Sequence, residues 1–290
     1  MMRKKPMLAY PVSDKPIDYT KPVFMQPKLD GVRCLIQAKV KRHILTPDLN
    51  ELEVKAYSRT GKEWLNINHI LQSLLPFFQA NPDVILDGEL YNHALKDDFE
   101  KIISCVRKQK PTDINRSESR KLVQFHCYDV VDETMTFEKR YQFVFDNLRD
   151  SYGVRTVQTI VTPTESQAKV NHARNLDSGY EGSILRTNDT YQCKRSHSLR
   201  KFKDFHDAEA VITDWVEGKG KRAGTIGKFM AIDADGNTFG MPVMDNFKKL
   251  QTMFKEMQGW VGKEATFTYF ERTKANSYRH PLFKSIRDYE

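Results

Sequence analysis

Residues 28–33 read Lys28-Leu29-Asp30-Gly31-Val32-Arg33 and join two strand-like runs, Val23–Pro27 and Val32–Val40. A lysine followed by an Asp-Gly turn is typical of a solvated hairpin. The same lysine can instead be a nucleophile if desolvation or neighbouring cations lower the pKa of its amine, which is ordinarily near 10.4. Lys201 and Lys203 would supply that positive charge if they fold nearby.

The chain has 290 residues, of which 39% are hydrophobic and 29% are charged, so it can form one large domain or two smaller ones. This composition excludes a disordered or collagen-like chain, and no apolar run approaches the ~20 residues of a transmembrane helix. The basic N-terminus is not followed by an apolar segment, so no secretory signal is expected. The four cysteines are widely spaced without a C-x-x-C pair, which argues against a zinc ribbon or a disulfide framework and favours a reducing cytosol.

The net charge is +8, from 46 Lys+Arg and 38 Asp+Glu. Residues 207–290 carry 13 basic and 12 acidic side chains, so +7 of this excess lies on residues 1–206. A basic excess suggests a polyanionic partner, although an excess of this size is common in proteins that bind no nucleic acid.

Short strand-like runs alternate with a few helices along the chain. The first helix is predicted over 67–80 from the spacing of its leucines and Phe78, and Thr164 is a plausible N-cap of a later one. From about Ala208 onward, short strands alternate with Gly-rich turns and one helix, which is typical of an OB-type β-barrel. The boundary is placed near Phe205–Asp207. The remaining predicted helices are 138–151, 165–176 and 245–257, and the remaining strands are 84–87, 123–131, 183–185, 208–216 and 264–270.

Two carboxylates accompany predicted strands, Glu89 in the segment Asp87-Gly88-Glu89 and Glu181 in the segment Glu181-Gly182-Ser183-Ile184-Leu185-Arg186. An Asp-Gly turn that ends a strand is ordinary. A carboxylate directly after a buried strand can also accept hydrogen bonds from a ribose or hold a hydrated metal ion.

Aromatic and basic residues complete the set of candidate groups. In Phe125-His126-Cys127-Tyr128-Asp129, an aromatic ring is usually part of a core, but it can also stack on a purine. In Leu199-Arg200-Lys201-Phe202-Lys203, alternation places Lys201 and Lys203 on one face of a strand and Phe202 on the other. Two lysines on one face suit either surface ion pairs or a phosphate clamp.

In their order along the chain, these segments resemble the motifs of the covalent nucleotidyltransferase superfamily: K-x-D-G-x-R, S-R-T-G, D-G-E, an aromatic residue before Asp, E-G-x-x-x-R and K-x-K. Within it, the chain from about Met25 onward most resembles an ATP-dependent DNA ligase of the small bacteriophage type. Residues 218–222, Gly227 and 279–283 resemble that family's OB domain. The resemblance implies an α+β fold, with a nucleotidyltransferase (ATP-grasp-like adenylation) domain of antiparallel sheets and helices over 1–206 and an OB-fold β-barrel over 207–290.

The resemblance also implies site residues. Lys28 would attack the α-phosphate of ATP, forming a lysyl-AMP phosphoramidate and releasing pyrophosphate. Glu89 and Glu181 would hold Mg²⁺. The residues implied to bind the nucleotide are Gln26, Lys28, Arg33 on the sugar, Arg59 on phosphate, Glu89 on the ribose, Tyr128 on adenine (with Phe125 as an alternative), and Lys201 with Lys203 on the α-phosphate.

One departure concerns the C-terminus. Many relatives end with R-x-D-K, which orients pyrophosphate, whereas the nearest match here is Arg287-Asp288-Tyr289 without a following lysine. Lys221, Arg222 and Arg279 therefore remain alternatives for that role. Asp97-Asp98 is expected to be a solvated turn and not a metal site.

The expected partners are ATP, Mg²⁺ and nicked double-stranded DNA, without a membrane. AMP would pass to the 5′-phosphate of a nick, and the 3′-hydroxyl would then displace AMP and seal the strand. An RNA ligase or mRNA guanylyltransferase on the same scaffold is the alternative enzyme. A non-catalytic nucleic-acid-binding OB protein would explain the charge and the tail but not the ordered motifs. The chain is expected to act as a monomer in the cytoplasm, in replication or repair, in a bacterium or in the host of a virus.

Overall fold

The computed structural model describes residue 2 and residues 4–41, 51–96, 98–273 and 276–287. Contacts divide the chain into two compact units, Met1–Phe202 and Lys203–Glu290. The predicted boundary at 206/207 lies slightly further along, and as a statement about independently folding domains it stays a prediction. No helix in the described ranges is long and apolar enough to cross a membrane.

In its described residues, the first unit contains ten strands in two five-stranded sheets. The strands are β1 (Leu8–Pro11), β2 (Val23–Lys28), β3 (Val32–Lys41), β4 (Glu51–Tyr57), β5 (Ile85–Tyr91), β6 (Gln124–Val130), β7 (Val154–Thr156), β8 (Ile160–Val161), β9 (Gly182–Thr187) and β10 (Arg195–Phe202). One sheet has the order β1-β10-β9-β2-β8 and the other has the order β4-β3-β5-β6-β7. The pairs β1–β10 and β6–β7 are parallel and the others are antiparallel. The α+β class with mainly antiparallel sheets is confirmed.

Where the structure describes the first unit, six α-helices accompany these sheets: α1 (Asn68–Ser73), α2 (Leu75–Ala80), α3 (Phe99–Val106), α4 (Asp113–Leu122), α5 (Phe137–Asn147) and α6 (Glu165–Asp177). The single helix predicted over 67–80 is wrong, because the chain forms two short helices that meet at Leu74. Pro76 explains the break, since proline has no backbone N–H and its ring conflicts with the carbonyl four residues earlier. The predicted cap of α6 is confirmed, because the Thr164 hydroxyl accepts a hydrogen bond from Gln167 N at 3.1 Å.

The core of the first unit lies between the second sheet and its helices. Ile36, Leu86 and Phe125 point into this core from three neighbouring strands. They pack with Ile70 and Phe78 of the helices, and all five side chains are fully buried. Because successive side chains of a strand alternate between the two faces of a sheet, the polar residues of β3, β5 and β6 lie on the opposite face. That face carries Arg33, Glu89 and Tyr128.

Lys28 ends β2, and the chain then passes from one sheet to the other. β2 pairs with β8 and β9, whereas β3 pairs with β4 and β5. The hairpin interpretation of residues 28–33 is therefore wrong. Gly31 follows this turn where β5 approaches closely, since a Cβ atom there would lie 2.4 Å from the Leu90 carbonyl oxygen. Glycine at this position is required by close approach of another backbone.

The second unit contains β11 (His206–Glu217), β12 (Ile226–Ile232), β13 (Thr238–Pro242), helix α7 (Phe247–Lys255), β14 (Glu264–Tyr269), a short hairpin of β15 (Glu271–Arg272) and β16 (Tyr278–Arg279), and β17 (Leu282–Ile286). Five of the strands form one sheet in the order β13-β12-β11-β14-β17. The predicted OB-type architecture is confirmed in a partly open form, because no hydrogen-bonded ladder joins β13 to β17 among the described strands. Two bulges in β11 curve the sheet instead, and the rings of Phe229 and Phe283, on non-adjacent strands, lie 5.1 Å apart.

Candidate active site

Side chains from both sheets of the first unit line a cavity of about 300 Å³. This volume is at the lower end of the range of small-molecule sites, roughly 300–1,000 Å³. Seven of the residues that the sequence predicts for nucleotide binding line it: Gln26, Lys28, Arg33, Arg59, Glu89, Tyr128 and Lys201. The structure thus brings together residues from distant motifs, while their individual roles stay predictions.

Lys28 is held by Glu181 at one end of this cavity. Glu181 N donates to the Lys28 carbonyl at 3.1 Å, and the Lys28 ammonium forms an ion pair with the Glu181 carboxylate. The Glu181 side chain is 4% exposed and that of Lys28 is 21% exposed, so the pair is largely withdrawn from water. Burial lowers the pKa of Lys201, and the positive charges of Lys28 and Arg195 lower it further. The end of the cavity around Lys28 is therefore strongly cationic.

Lys203 is placed differently from the prediction. β10 ends at Phe202, which pairs with Ser183, so Lys203 does not share a strand face with Lys201. The prediction that both lysines lie on one face of a strand is wrong, because the β9–β10 ladder ends at Phe202, one residue before Lys203. Lys203 begins the second unit, where its Nζ atom lies 4.3 Å from the ring centroid of Phe270. Its contact with the α-phosphate stays a prediction.

Glu89 lies within β5, opposite His126, and does not follow the strand as predicted. Burial raises the pKa of Glu89 to about 7, against the opposing effects of the Arg33 and Lys28 charges and of a hydrogen bond from the Tyr128 hydroxyl at 3.2 Å. The carboxylate is thus partly desolvated in a cavity lined by cations. A bound cation or hydrogen-bond donor would stabilise its ionised form.

Arg33 is fixed by a second carboxylate to which the sequence assigned no role. Its Nε and Nη2 atoms donate to the two oxygens of Asp87 at 2.6 and 2.5 Å. The Tyr191 hydroxyl donates to the same carboxylate at 2.7 Å and accepts from Met7 N at 2.7 Å. The bidentate pair leaves the Arg33 guanidinium little rotational freedom, so its position is set before any ligand binds.

Tyr128 lies at the cavity with guanidinium groups near its ring. The Cζ atom of Arg33 is 5.1 Å from the ring centroid and that of Arg186 is 5.5 Å from it. Phe125, the alternative stacking residue, is 0% exposed in the core on the other face of the sheet. Of these two aromatic residues, Tyr128 is therefore the one that a ligand in this cavity can contact.

Two arginines of the cavity received no role from the sequence. Arg186 is the last residue of the E-G-x-x-x-R segment. Its Nε atom donates to Gln26 Oε1 at 2.8 Å, and its Nη1 atom donates to Asp129 Oδ2 at 2.6 Å. Arg195 begins β10 and lines the same cavity as Lys201. Arg59 lies on the turn at Ser58–Lys62, where Gly61 has a φ of +87°.

The residues considered for orienting pyrophosphate lie in the second unit, and some of them lie outside the described residues. Lys221 and Arg222 end a short 3₁₀ helix, and Arg279 forms an ion pair with Glu271 at 2.5 Å. Asp288 and Tyr289 of the terminal segment lie outside the described residues, as does Asp97.

The residues present fit a magnesium ion. Mg²⁺ prefers oxygen ligands and is commonly held by one or two carboxylates together with substrate phosphates. Glu89 and Glu181 supply such carboxylates beside the cavity. The described residues contain no group of three or more acidic, histidine or cysteine side chains suited to a metal ion, so phosphate oxygens would have to complete the coordination.

A family model described as "ATP dependent DNA ligase domain" matches residues 6–203. No curated protein sequence matches the chain.

Solved structures of DNA ligases resemble the whole chain. A Lig E DNA ligase, from a study of DNA binding with a minimal scaffold, has a TM-score of 0.74 at 21% identity, with 99% of this chain and 100% of that chain covered. A chain described as Pmar-Lig has a TM-score of 0.77 at 20% identity, covering 99% and 68%. The ATP-dependent DNA ligase of bacteriophage T7, in complex with ATP, has a TM-score of 0.52 at 16% identity, covering 98% of each chain.

These likenesses show the fold, and the family model, which spans most of the chain, shows the family. The chain therefore belongs to the ATP-dependent DNA ligases of the covalent nucleotidyltransferase superfamily and is an enzyme of that class.

Proposed function

We propose that this enzyme seals nicks in duplex DNA through a lysyl-AMP intermediate on Lys28 and a DNA-adenylate intermediate. The observation that carries the proposal is that Lys28 lines one cavity together with the Glu89 carboxylate, an aromatic ring and several cations, while its ammonium is paired with Glu181. Phosphoryl transfer is catalysed mainly by positioning and by charge neutralisation. The groups that line this cavity are suited to both.

Lys28 first gives one ammonium proton to solvent and becomes a neutral amine. Its nitrogen then forms a bond to the α-phosphorus of ATP as the bond to pyrophosphate breaks, and it loses a second proton as the phosphoramidate forms. Glu181 lies directly before β9 and its carboxylate accepts a hydrogen bond from the Lys28 nitrogen. It is therefore the nearest described acceptor for that proton. Lys201 and Arg195 would face the negative charge of the α-phosphate. Both cations line the same cavity as Lys28.

The remaining groups would orient the nucleoside. Tyr128 would stack on the base, and Glu89 would accept hydrogen bonds from the ribose. Mg²⁺, held by Glu89 and Glu181, would supply neutralisation of the phosphate charge. Arg33, immobilised by Asp87, would donate to the sugar without losing further side-chain entropy on binding.

In the later steps, AMP passes from Lys28 to the 5′-phosphate of the nick, and the 3′-hydroxyl then displaces AMP. The DNA would be held mainly through phosphate contacts, because residues 1–206 carry +7 of the net charge of +8. Such binding tolerates any sequence and weakens with salt.

The test is incubation with labelled ATP and Mg²⁺, followed by addition of a nicked duplex. We expect a covalent adduct on Lys28, identified by mass spectrometry, which disappears as the nick is sealed. A parallel incubation with labelled GTP tests the guanylyltransferase alternative, and a nicked RNA duplex tests the RNA ligase alternative. A folded chain that forms no adduct with any nucleotide would contradict the proposal.

A further inference from the structure

Gln26 is a buried amide, 2% exposed, on the wall of the cavity. It lies on β2, and the neighbouring strand β9 places Arg186 diagonally across from it, because Gln26 pairs with Ile184. Residues in this relation point to the same face of a sheet and are close enough for long side chains to touch. Arg186 Nε accordingly donates to Gln26 Oε1 at 2.8 Å.

The orientation of this amide is determined by its partners. Arginine can only donate hydrogen bonds and a backbone carbonyl can only accept them. Since Arg186 contacts Oε1 while the Tyr128 carbonyl accepts from Nε2 at 3.1 Å, the oxygen and nitrogen cannot be exchanged. The Thr159 hydroxyl accepts the second N–H of Nε2 at 2.8 Å.

A glutamine amide has two N–H donors and an oxygen with two lone pairs. Both donors of Gln26 are used, and Arg186 occupies one lone pair. Gln26 can therefore offer a ligand one acceptor and no donor. Adenine carries an amino group at its 6-position, which can donate to that acceptor. Guanine carries a 6-oxo group there, and two acceptors facing each other form no hydrogen bond.

Arg186 is itself held firmly. Its Nη1 atom donates to Asp129 at 2.6 Å, and its Cζ atom lies 4.7 Å from the ring centroid of Phe137. Asp129 is fully buried and is also bound by Arg140, whose Nε donates to it at 2.7 Å. Asp129 therefore keeps a cationic partner if Arg186 is replaced.

We propose that Arg186 is a positioning residue for nucleotide selectivity: it fixes the amide of Gln26 so that the cavity presents only an acceptor to the base and selects ATP over GTP. This rests on the proposed nucleotide site. Without the Arg186 donor, the Tyr128 carbonyl is the remaining partner that opposes rotation of the amide, since the Thr159 hydroxyl can either donate or accept. A half-turn of the amide would then offer Nε2 to the 6-oxo group of guanine and reduce selectivity.

The experiment measures binding of α,β-methylene-ATP and α,β-methylene-GTP, which cannot transfer their nucleotide, by isothermal titration calorimetry. We expect the full chain to bind the adenine compound at least about 100-fold more tightly. In Arg186→Met and Arg186→Lys we expect this ratio to fall to about tenfold or less, mainly through tighter binding of the guanine compound. Lysine retains the charge beside Asp129 but has no donor at the position of Nε, so it keeps the test available if the methionine variant does not fold.

Arg140→Lys is the matched control, because Arg140 shares Asp129 but does not contact Gln26. It should lower stability and leave the selectivity ratio unchanged. A folded Arg186 variant that keeps the full ratio, or that weakens both nucleotides by the same factor, would overturn the proposal. Absence of nucleotide binding and of adduct formation in the unmodified chain would instead contradict the proposed function.

Discussion

Glu181 contacts Lys28 through both its backbone and its side chain. The Glu181 N–H binds the Lys28 carbonyl at 3.1 Å, and the carboxylate forms an ion pair with the ammonium. The two residues are 153 positions apart in sequence, and the ladder between β2 and β9 brings them together. The position of the proposed nucleophile therefore depends on correct pairing of these two strands.

Replacing Lys28 by alanine should abolish the covalent nucleotide adduct, because the variant lacks the amine that would bond to phosphorus. The measurement is mass spectrometry after incubation with ATP and Mg²⁺. Lys39→Ala, which removes an exposed lysine of β3, is the control and should form the adduct normally. Sealing of a nick that already carries 5′-AMP should survive in part. An adduct at the normal rate in Lys28→Ala would exclude this residue as the nucleophile.

Replacing Glu181 by alanine should slow adduct formation by about 10²–10³-fold, since such losses are typical when a group that stabilises a transition state is removed. Glu89→Ala should be less severe. Rates are measured by rapid mixing over a series of Mg²⁺ concentrations. Glu133→Ala, on the exposed ion pair with Lys4, is the control. An unchanged rate and metal dependence in Glu181→Ala would remove this residue from the site.

Stability should depend on pH through Glu89. Its pKa is raised to about 7 by burial, from 4.5, so between these values the folded chain binds more protons than the unfolded chain. The contribution of Glu89 to the free energy of unfolding is therefore full below pH 4.5 and is lost as the pH rises through 7. The Tm of Glu89→Gln minus that of the unmodified chain should be about 2–4 °C larger at pH 8 than at pH 5. This is the shift in Tm that about 1 kcal/mol produces. A difference in Tm between the two proteins that is the same at pH 5 and pH 8 would show that Glu89 does not have a raised pKa in the folded chain.

Gly31→Ala should destabilise the chain strongly, because its Cβ atom would lie 2.4 Å from the Leu90 carbonyl oxygen and force β5 away from the Lys28 turn. We expect a loss of about 1–3 kcal/mol, as is typical of overpacking. Urea unfolding measures the change. Gly259→Ala is the matched control, because no atom lies within 4 Å of its added methyl group. Equal effects of the two substitutions would contradict the close approach of β5.

A fragment of residues 1–206 should fold, since it contains both sheets of the first unit and their core. It retains +7 of the net charge and should keep salt-sensitive affinity for DNA. The rate of nick sealing in gel assays should fall far more than the folded content seen by circular dichroism, because the fragment lacks all but the first four residues of the second unit. Sealing at the full rate would show that residues 207–290 do not hold the DNA, and failure to fold would move the domain boundary.

Much of the fold and of the cavity follows from local sequence. Apolar and β-branched runs predict β2, β3, β5, β6, β9, β11 and β14, and the ordered motifs predict seven residues that line the cavity. The break at Pro76 was also present in the sequence, since proline interrupts a helix whatever surrounds it. The local sequence is enough to predict these features, because each feature depends on the backbone and on residues a few positions away.

Other features required the tertiary structure. The sequence shows Asp87 and Gln26 but not that Asp87 immobilises Arg33 or that Arg186 orients the Gln26 amide. It placed Lys203 beside Lys201, whereas the ladder ends at Phe202. Composition and periodicity by themselves determined which residues prefer strands, helices or burial. Only strand pairing between distant segments decided which donor meets which acceptor, because the hydrogen-bonding partner of a buried polar group depends on the register of strands far apart in the chain.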